Sequence, residues 1–203
     1  STPLYSSAAS DVYKRQLEKA GVTVVLNAMV TDVDADSVTY KDMKTEQEST
    51  IQTPTKIWSA GVAASPLGKQ VAEQVGVEAD RAGKVEVNPD LSVGDQSNVF
   101  IIGDMMNRDR LPGVAQVAIQ SGAYVGKTIK DQIEHDIAPE DRAPFEYFDK
   151  GSMAIINRFN AVVKMGKVEI TGFIGWLMWL GVHLSFLTGR RNRLVAANEW
   201  TIN

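Results

Sequence analysis

The first half of the chain is patterned in short extended segments, and two longer segments with helical spacing follow. After Gly21 the β-branched run VTVVL predicts a strand over residues 22–26. Residues 30–33 and 37–40 predict two further strands, joined by a tight turn at Asp34-Ala35-Asp36, and the polar stretch 41–50 predicts a loop tip. Extended structure resumes over 51–60 around Pro54 and ends at Ser59-Ala60-Gly61. Leu67, Val71 and Val75 recur every four residues, which predicts a helix over 66–75 that stops at Gly76. A short strand over 84–87, a turn at Asn88-Pro89-Asp90 and an apolar strand of the buried kind over 99–102 come next. Pro112 opens a long helix from about residue 113 to 134, and 139–144 reads as a linker. Strands dominate the first half, so the fold class is α/β or α+β.

Two stretches need separate readings. Residues 1–16 carry no clear period and no apolar face, and SSAASDVYKRQ resembles a translated adaptor, so 1–16 is expected to be a non-native leader; the alternative is a genuine helix entering at Asp11. Residues 170–189 are uncharged, long enough at 1.5 Å per residue to cross about 30 Å of hydrocarbon. Gly, Ser, Thr and His183 dilute that run. On a helical wheel Phe173, Trp176, Leu177, Leu180, Leu184 and Leu187 gather on one side, ahead of Arg190, Arg191 and Arg193. This favours an interfacial helix over a spanning or a buried one.

Composition narrows the chemistry. The 203 residues contain no cysteine and only two histidines, His135 and His183. Disulfides, thiolate metal sites, cysteine nucleophiles and redox dithiols are therefore excluded for these residues, and no metal site is expected. The net charge of −4 is unevenly distributed: from Lys150 onward seven Lys and Arg face two Glu, giving +5 and leaving −9 on residues 1–149. Three of the four tryptophans, Trp176, Trp179 and Trp200, fall in the basic part. An acidic body with a basic, Trp-rich tail points to an anionic lipid surface, with Lys164, Lys167 and the tail arginines as contacts, and not to nucleic acid.

Two constellations carry candidate chemistry. The apolar strand over 99–102 ends in Gly103-Asp104, placing a small residue and a carboxylate where α/β sheets bind ligands. Asp104 could accept hydrogen bonds from sugar or ribitol hydroxyls; a solvated turn aspartate is the alternative. Eight residues on, Pro112 and Gly113 start the long helix, whose first N–H groups and dipole suit an anionic or carbonyl group. Gln116 and Gln120 share one face of it beside Ala115, Ala118 and Gly122. Paired amides among small side chains suit a flat carbonyl ligand; two solvated glutamines are the alternative.

In this order, Trp58-Ser59-Ala60-Gly61-Val62, Asp90-Leu91-Ser92-Val93, Val99-Phe100-Ile101-Ile102-Gly103-Asp104, Ala115-Gln116-Val117-Ala118-Ile119-Gln120 and Asp149-Lys150-Gly151-Ser152-Met153-Ala154 resemble type II NADH:quinone oxidoreductase. The resemblance extends to Gly172-Phe173-Ile174-Gly175-Trp176-Leu177 and Arg191-Asn192-Arg193-Leu194. It implies a flavoprotein with two Rossmann-like dinucleotide-binding domains, FAD as cofactor, NADH as donor and a membrane quinone as acceptor. It further implies peripheral attachment to the cytoplasmic face of the inner membrane, with a homodimer among the assemblies of a full-length member. On the same basis Gly103 and Asp104 would hold the FAD ribitol, and Val114, Ala115 and Gln116 would sit at the flavin ring. Gln116 and Gln120 would line the quinone slot, Lys150 would stand near the isoalloxazine, and Ala60, Gly61, Val62 and Ala63 would mark the crossover beside the nicotinamide. The missing cysteines fit direct flavin-to-quinone transfer and argue against dithiol reductases and sulfide:quinone enzymes.

One departure stands out: G-x-G-x-x-G, the pyrophosphate-binding fingerprint, occurs nowhere in the chain. The expected organisation is therefore that of a fragment. Residues 17–57 would end an NADH-binding domain, 58–144 would end an FAD-binding domain, and 145–203 would be the membrane-anchoring region. The alternative function is a non-enzymatic membrane-docking or interaction module.

Overall fold

The computed structural model describes residues 7–202. In chain order the elements are α1 (Ser7–Lys19), β1 (Ala28–Val33), β2 (Ser37–Asp42), β3 (Glu48–Gln52), α2 (Pro66–Val75), β4 (Val85–Glu86), β5 (Ser92–Val93), β6 (Gln96–Phe100), β7 (Met106–Asn107), α3 (Ala115–His135), β8 (Ser152–Asn157), β9 (Asn160–Met165), β10 (Val168–Thr171), α4 (Gly172–Phe186) and α5 (Arg190–Ile202). They form two compact units. Of the described residues, one contains 59–150, and the other combines 7–58 with 151–202.

In the Ser59–Lys150 unit, α2 is specified locally at both ends. The Ser65 hydroxyl accepts from the Leu67 N–H ahead of Pro66, and Gly76 closes the helix at φ 74°, a conformation glycine adopts without penalty. The core comprises Ala72, Val85, Val87, Leu91, Val93, Ile101, Met106, Val117 and Phe145. Its strands form two small pairs, β4 with β7 in parallel and β5 with β6 antiparallel. The apolar strand expected over 99–102 is displaced: β6 stops at Phe100, while Ile101 bonds to the Leu91 carbonyl and leads into a turn. Burial of Ile101 follows from packing against the core, not from a central place in a sheet.

The linker expected over 139–144 is instead pinned. Arg142 pairs with Asp90 at 2.9 Å, with side-chain exposures of only 3% and 15%. It also donates to the Ser97 carbonyl at 2.7 Å and to Gln132 Oε1 at 2.8 Å, and its guanidinium lies over the Phe100 ring. The Phe145 N–H donates to the Pro89 carbonyl at 2.8 Å, and its ring meets Tyr124 edge-on.

The second unit contains two antiparallel three-stranded sheets, β1-β2-β3 and β10-β9-β8. Asp34 builds the expected β1–β2 turn by accepting from the N–H groups of Asp36 and Ser37 and from the Ser37 hydroxyl. The strand expected over 22–26 does not form. Among the described residues it has no ladder partner, and Val22, Val25 and Leu26 are exposed. The polar loop is shorter than expected because β3 begins at Glu48 and pairs along β2. The β8–β10 meander carries no alternation strong enough to predict it, and its turns place Phe159 and Gly166 at positive φ. A helix does form near the start of the chain: α1 runs from Ser7, ahead of the Asp11 start that the alternative gives, and Val12 on it is buried. Residues 1–6 lie outside the described residues.

The uncharged run of 170–189 is divided between two elements and the turn that follows them. β10 ends at Thr171, α4 covers 15 residues, and α5 restarts at Arg190. The one-sided wheel expected for it is not observed. Ile174 and Phe186 are as exposed as Phe173 and Leu177, whereas Trp176 is 3% exposed and packs against Phe159 in the β8–β9 turn and Phe173 of its own helix. At about 1.5 Å per residue α4 is roughly 22 Å long, and among the described residues no helix is long and apolar enough to cross a membrane.

Candidate functional site

The site is assembled in the Ser59–Lys150 unit, where the 3-10 turn Gly103–Met105 lies against the start of α3. Gly103 adopts φ 64°, and a Cβ there would come within 3.2 Å of the Ala118 Cβ, so its lack of a side chain permits this approach. The Gly103 N–H donates to the hydroxyl of Ser121 at 3.3 Å, and that hydroxyl donates to the Ala118 carbonyl. Ser121 is fully buried. It is a positioning residue that the sequence reading missed, since a serine inside a helix carries no pattern by itself. Gly122 faces Ile102 in the same seam. Ala118 and Gly122, expected beside the glutamines as room for a flat ligand, thus serve the packing of the 102–103 segment on α3.

This arrangement leaves the Asp104 side chain exposed, over Gly113, where a Cβ would come within 3.4 Å of Asp104 Oδ1. Val114 caps α3 in an extended conformation without a side-chain hydrogen bond, and its carbonyl accepts from Val117. The N–H groups of Ala115 and Gln116 have no intrahelical acceptor, as at any helix start, and no capping side chain covers them. A carboxylate and unsatisfied donors therefore lie at the two ends of the segment that leads through β7 to α3.

The two glutamines have different surroundings. Gln116 Oε1 is buried without a hydrogen-bond partner among the described residues. One turn later the Gln120 side chain is fully engaged: Nε2 donates to the Phe148 carbonyl and Oε1 accepts from the Phe148 N–H, each at 3.0 Å. Lys150 follows two residues later and is exposed. Ala60, Gly61, Val62 and Ala63 lie in irregular, exposed chain ahead of α2, with Gly61 at φ 80°. The structure thus brings Gly103, Asp104, Val114, Ala115 and Gln116 together at one helix start and ties Gln120 to the segment that carries Lys150.

The profile of the pyridine nucleotide-disulphide oxidoreductases matches residues 1–122, more than half of the chain. The chain belongs to that family. It is 50% identical over 187 residues to the type II NADH:quinone oxidoreductase Ndh of Mycobacterium tuberculosis, a match covering 92% of this chain and 40% of that protein. NdhA of the same organism is also 50% identical, over 191 residues, with 94% and 40% covered. The chain spans about 40% of the length of these relatives. A structure of NDH2 from Plasmodium falciparum in complex with NADH superposes with a TM-score of 0.77 at 18% identity, covering 95% of this chain and 53% of that one, and this likeness bears on the fold. The α/β assignment and the resemblance to type II NADH:quinone oxidoreductase both hold. The chain has no cysteine, so none of its residues can supply a dithiol.

Proposed function

We propose that this chain is the flavin- and quinone-facing part of an NADH:quinone oxidoreductase that attaches peripherally to a membrane. The observation that carries the reading is the seating of the Gly103–Asp104 turn against the uncapped start of α3, with the buried Gln116 oxygen in its first turn. FAD presents ribitol hydroxyls that need an acceptor and ring carbonyls that need donors. Asp104 offers the acceptor, the N–H groups of Ala115 and Gln116 offer the donors, and the helix dipole adds partial positive charge there. The residues present therefore fit this part of the group. When bound, the flavin supplies a two-electron carrier between NADH and quinone. Gln116 would orient the acceptor, Lys150 would supply positive charge beside the ring, and Ala60–Ala63 would border the nicotinamide.

In the full-length protein, Asp104→Ala is expected to weaken FAD retention by about 1–3 kcal/mol, the cost of losing hydrogen bonds to a buried partner. Flavin absorbance after dialysis measures it, and unchanged content would count against Asp104 as a ligand.

The tail supports lipid attachment with fewer cations than its composition suggests. Lys164 pairs with Glu169 across β9 and β10 at 3.5 Å. Arg193 caps α4 by donating to the Leu187 and Ser185 carbonyls. Arg190 and Arg191 remain exposed at the start of α5, beside the exposed Leu194 and Val195, while α4 exposes Ile174 and Phe186. The protein is expected to co-sediment with anionic liposomes. Arg190→Glu with Arg191→Glu should weaken binding at low salt by about 1 kcal/mol per residue near the surface. Ile174→Asp with Leu194→Asp should weaken it at any salt, and unchanged binding by both pairs would exclude the tail as the attachment site.

A further inference from the structure

The turn between β8 and β9 holds a phenylalanine where turns ordinarily place glycine or asparagine. Phe159 has φ 62°, a left-handed conformation that bulky side chains rarely adopt. Its ring meets Trp176 edge-on at a centroid distance of 4.9 Å and Phe173 at 6.1 Å. Phe159 nevertheless stays 41% exposed, beside Phe173 at 55% and Ile174 at 64%. Arg158 lies over the same ring and donates to the carbonyls of Thr201 and Ile202 at 2.7 and 2.8 Å. These bonds bring the last turn of α5, with the exposed Ile202, to the β8–β9 turn. Apolar side chains from the turn, from the start of α4 and from the end of α5 thus gather at one end of the unit. Clustered apolar exposure of this kind marks an interaction surface.

We propose that this end is the part of the protein that enters a membrane. Phe159, Phe173, Ile174 and Ile202 insert below the headgroups of an anionic bilayer, while the α4–α5 junction with Arg190 and Arg191 stays at headgroup level. Charge selects the occupant. Residues from Lys150 onward carry +5, which anionic lipid attracts. Ile129 and Ile133 on α3 are exposed as well, but they fall within residues 1–149, which carry −9. Length fixes the depth: at roughly 22 Å, α4 can enter one leaflet from its start but cannot cross about 30 Å of hydrocarbon. The proposal rests on the lipid attachment proposed above and adds which end inserts.

The test uses the whole 203-residue chain, which has no cysteine, so that a single introduced one can carry an environment-sensitive fluorophore. Ile174→Cys marks the inserting end, and Thr188→Cys, exposed just beyond α4, marks the opposite one. On vesicles of phosphatidylglycerol and phosphatidylcholine, the label at 174 should shift to the blue and be quenched by brominated acyl chains. The label at 188 should keep its aqueous emission. Phe159→Asn keeps a residue suited to the left-handed turn. It should weaken vesicle binding by about tenfold, roughly the worth of burying one aromatic side chain. The loss should be equal at low and high salt, because apolar contact is not screened. Urea unfolding checks that this variant folds; if it does not, the two labels decide alone. Vesicle binding with an unshifted label at 174 would overturn insertion of this end and leave the attachment standing. Equal shifts at both positions would overturn the choice of end. Failure of the unsubstituted chain to bind vesicles would overturn both the insertion and the attachment. A dimer in solution that Phe159→Asn dissociates would make a second copy the occupant and overturn the proposal.

Discussion

Arg142→Ala is expected to destabilise the Ser59–Lys150 unit by about 3–5 kcal/mol, the usual cost of removing one member of a buried ion pair. Both partners are largely out of solvent, and Arg142 also satisfies the Ser97 carbonyl and Gln132, so its loss leaves several acceptors unmatched. A domain has roughly 5–15 kcal/mol of total stability, so the loss would take a large share. Hydrogen exchange in α3 should report it. All four tryptophans lie outside residues 59–150, so tryptophan fluorescence follows the other unit and serves as an internal comparison. Normal α3 protection in Arg142→Ala would show that the pair is not structural.

The same pair gives a pH dependence. Burial pushes the Asp90 carboxyl up, but hydrogen bonds from Ser92 and Arg142 outweigh it and hold the group below its ordinary value. A carboxylate depressed in the folded state contributes stability above its unfolded pKa of about 3.9 and loses it as pH falls through the folded value. Without Arg142 the carboxyl loses a favourable partner, so acid loss of α3 protection should begin at higher pH. Asp90→Asn with Arg142→Met should cost less than the two single changes together, since no unpaired charge is left buried.

Trp176→Ala is expected to have an effect of similar size in the other unit, about 3–5 kcal/mol for truncating a fully buried aromatic. Trp176 is 3% exposed and meets Phe159 edge-on at 4.9 Å and Phe173 in a stack at 5.7 Å. The neighbouring Gly175 makes that burial attainable. A Cβ there would stand 2.7 Å from the Ala161 carbonyl oxygen and 3.1 Å from that of Ile170, both backbone atoms. Gly175→Ala should therefore lift α4 from β9 and cost about 1–3 kcal/mol, as overpacking does. Urea unfolding and the near-UV signal of the aromatic cluster measure both changes, and native stability in Trp176→Ala would remove α4 from the core.

Where a structural feature is closed by neighbours in sequence, it was legible. Ser65, Pro66 and Gly76 specify both ends of α2 within one element, and Asp34 specifies its turn within three residues. Pro112 and Gly113 mark the approach to α3, whose start lies within two residues of the position read from them. Gly103 and Asp104 stand out because a glycine and a carboxylate follow an apolar run, and the structure seats them at the helix start.

Other features depend on partners far along the chain. The run over 22–26 has strand composition, but a strand exists only when another one pairs with it. Arg142 reads as a linker residue until Asp90, 52 residues away, is brought beside it. Ala118 and Gly122 read as space for a ligand, and only packing shows that Gly103 and Ile102 fill that space. The apolar run over 170–189 reads as one amphipathic face, yet Gly175 and Trp176 draw one side of α4 onto β9 while Ile174 and Phe186 stay exposed.

The sequence by itself determined the α/β class, the caps and turns, and the pairing of a carboxylate with a helix start, because local hydrogen bonds and periodicity are written in adjacent residues. Tertiary structure alone decided that Gln116 and Gln120 differ. Their equal spacing on α3 makes them chemically equivalent, and only the return of Phe148 to the helix occupies one amide and leaves the oxygen of the other buried and unmet.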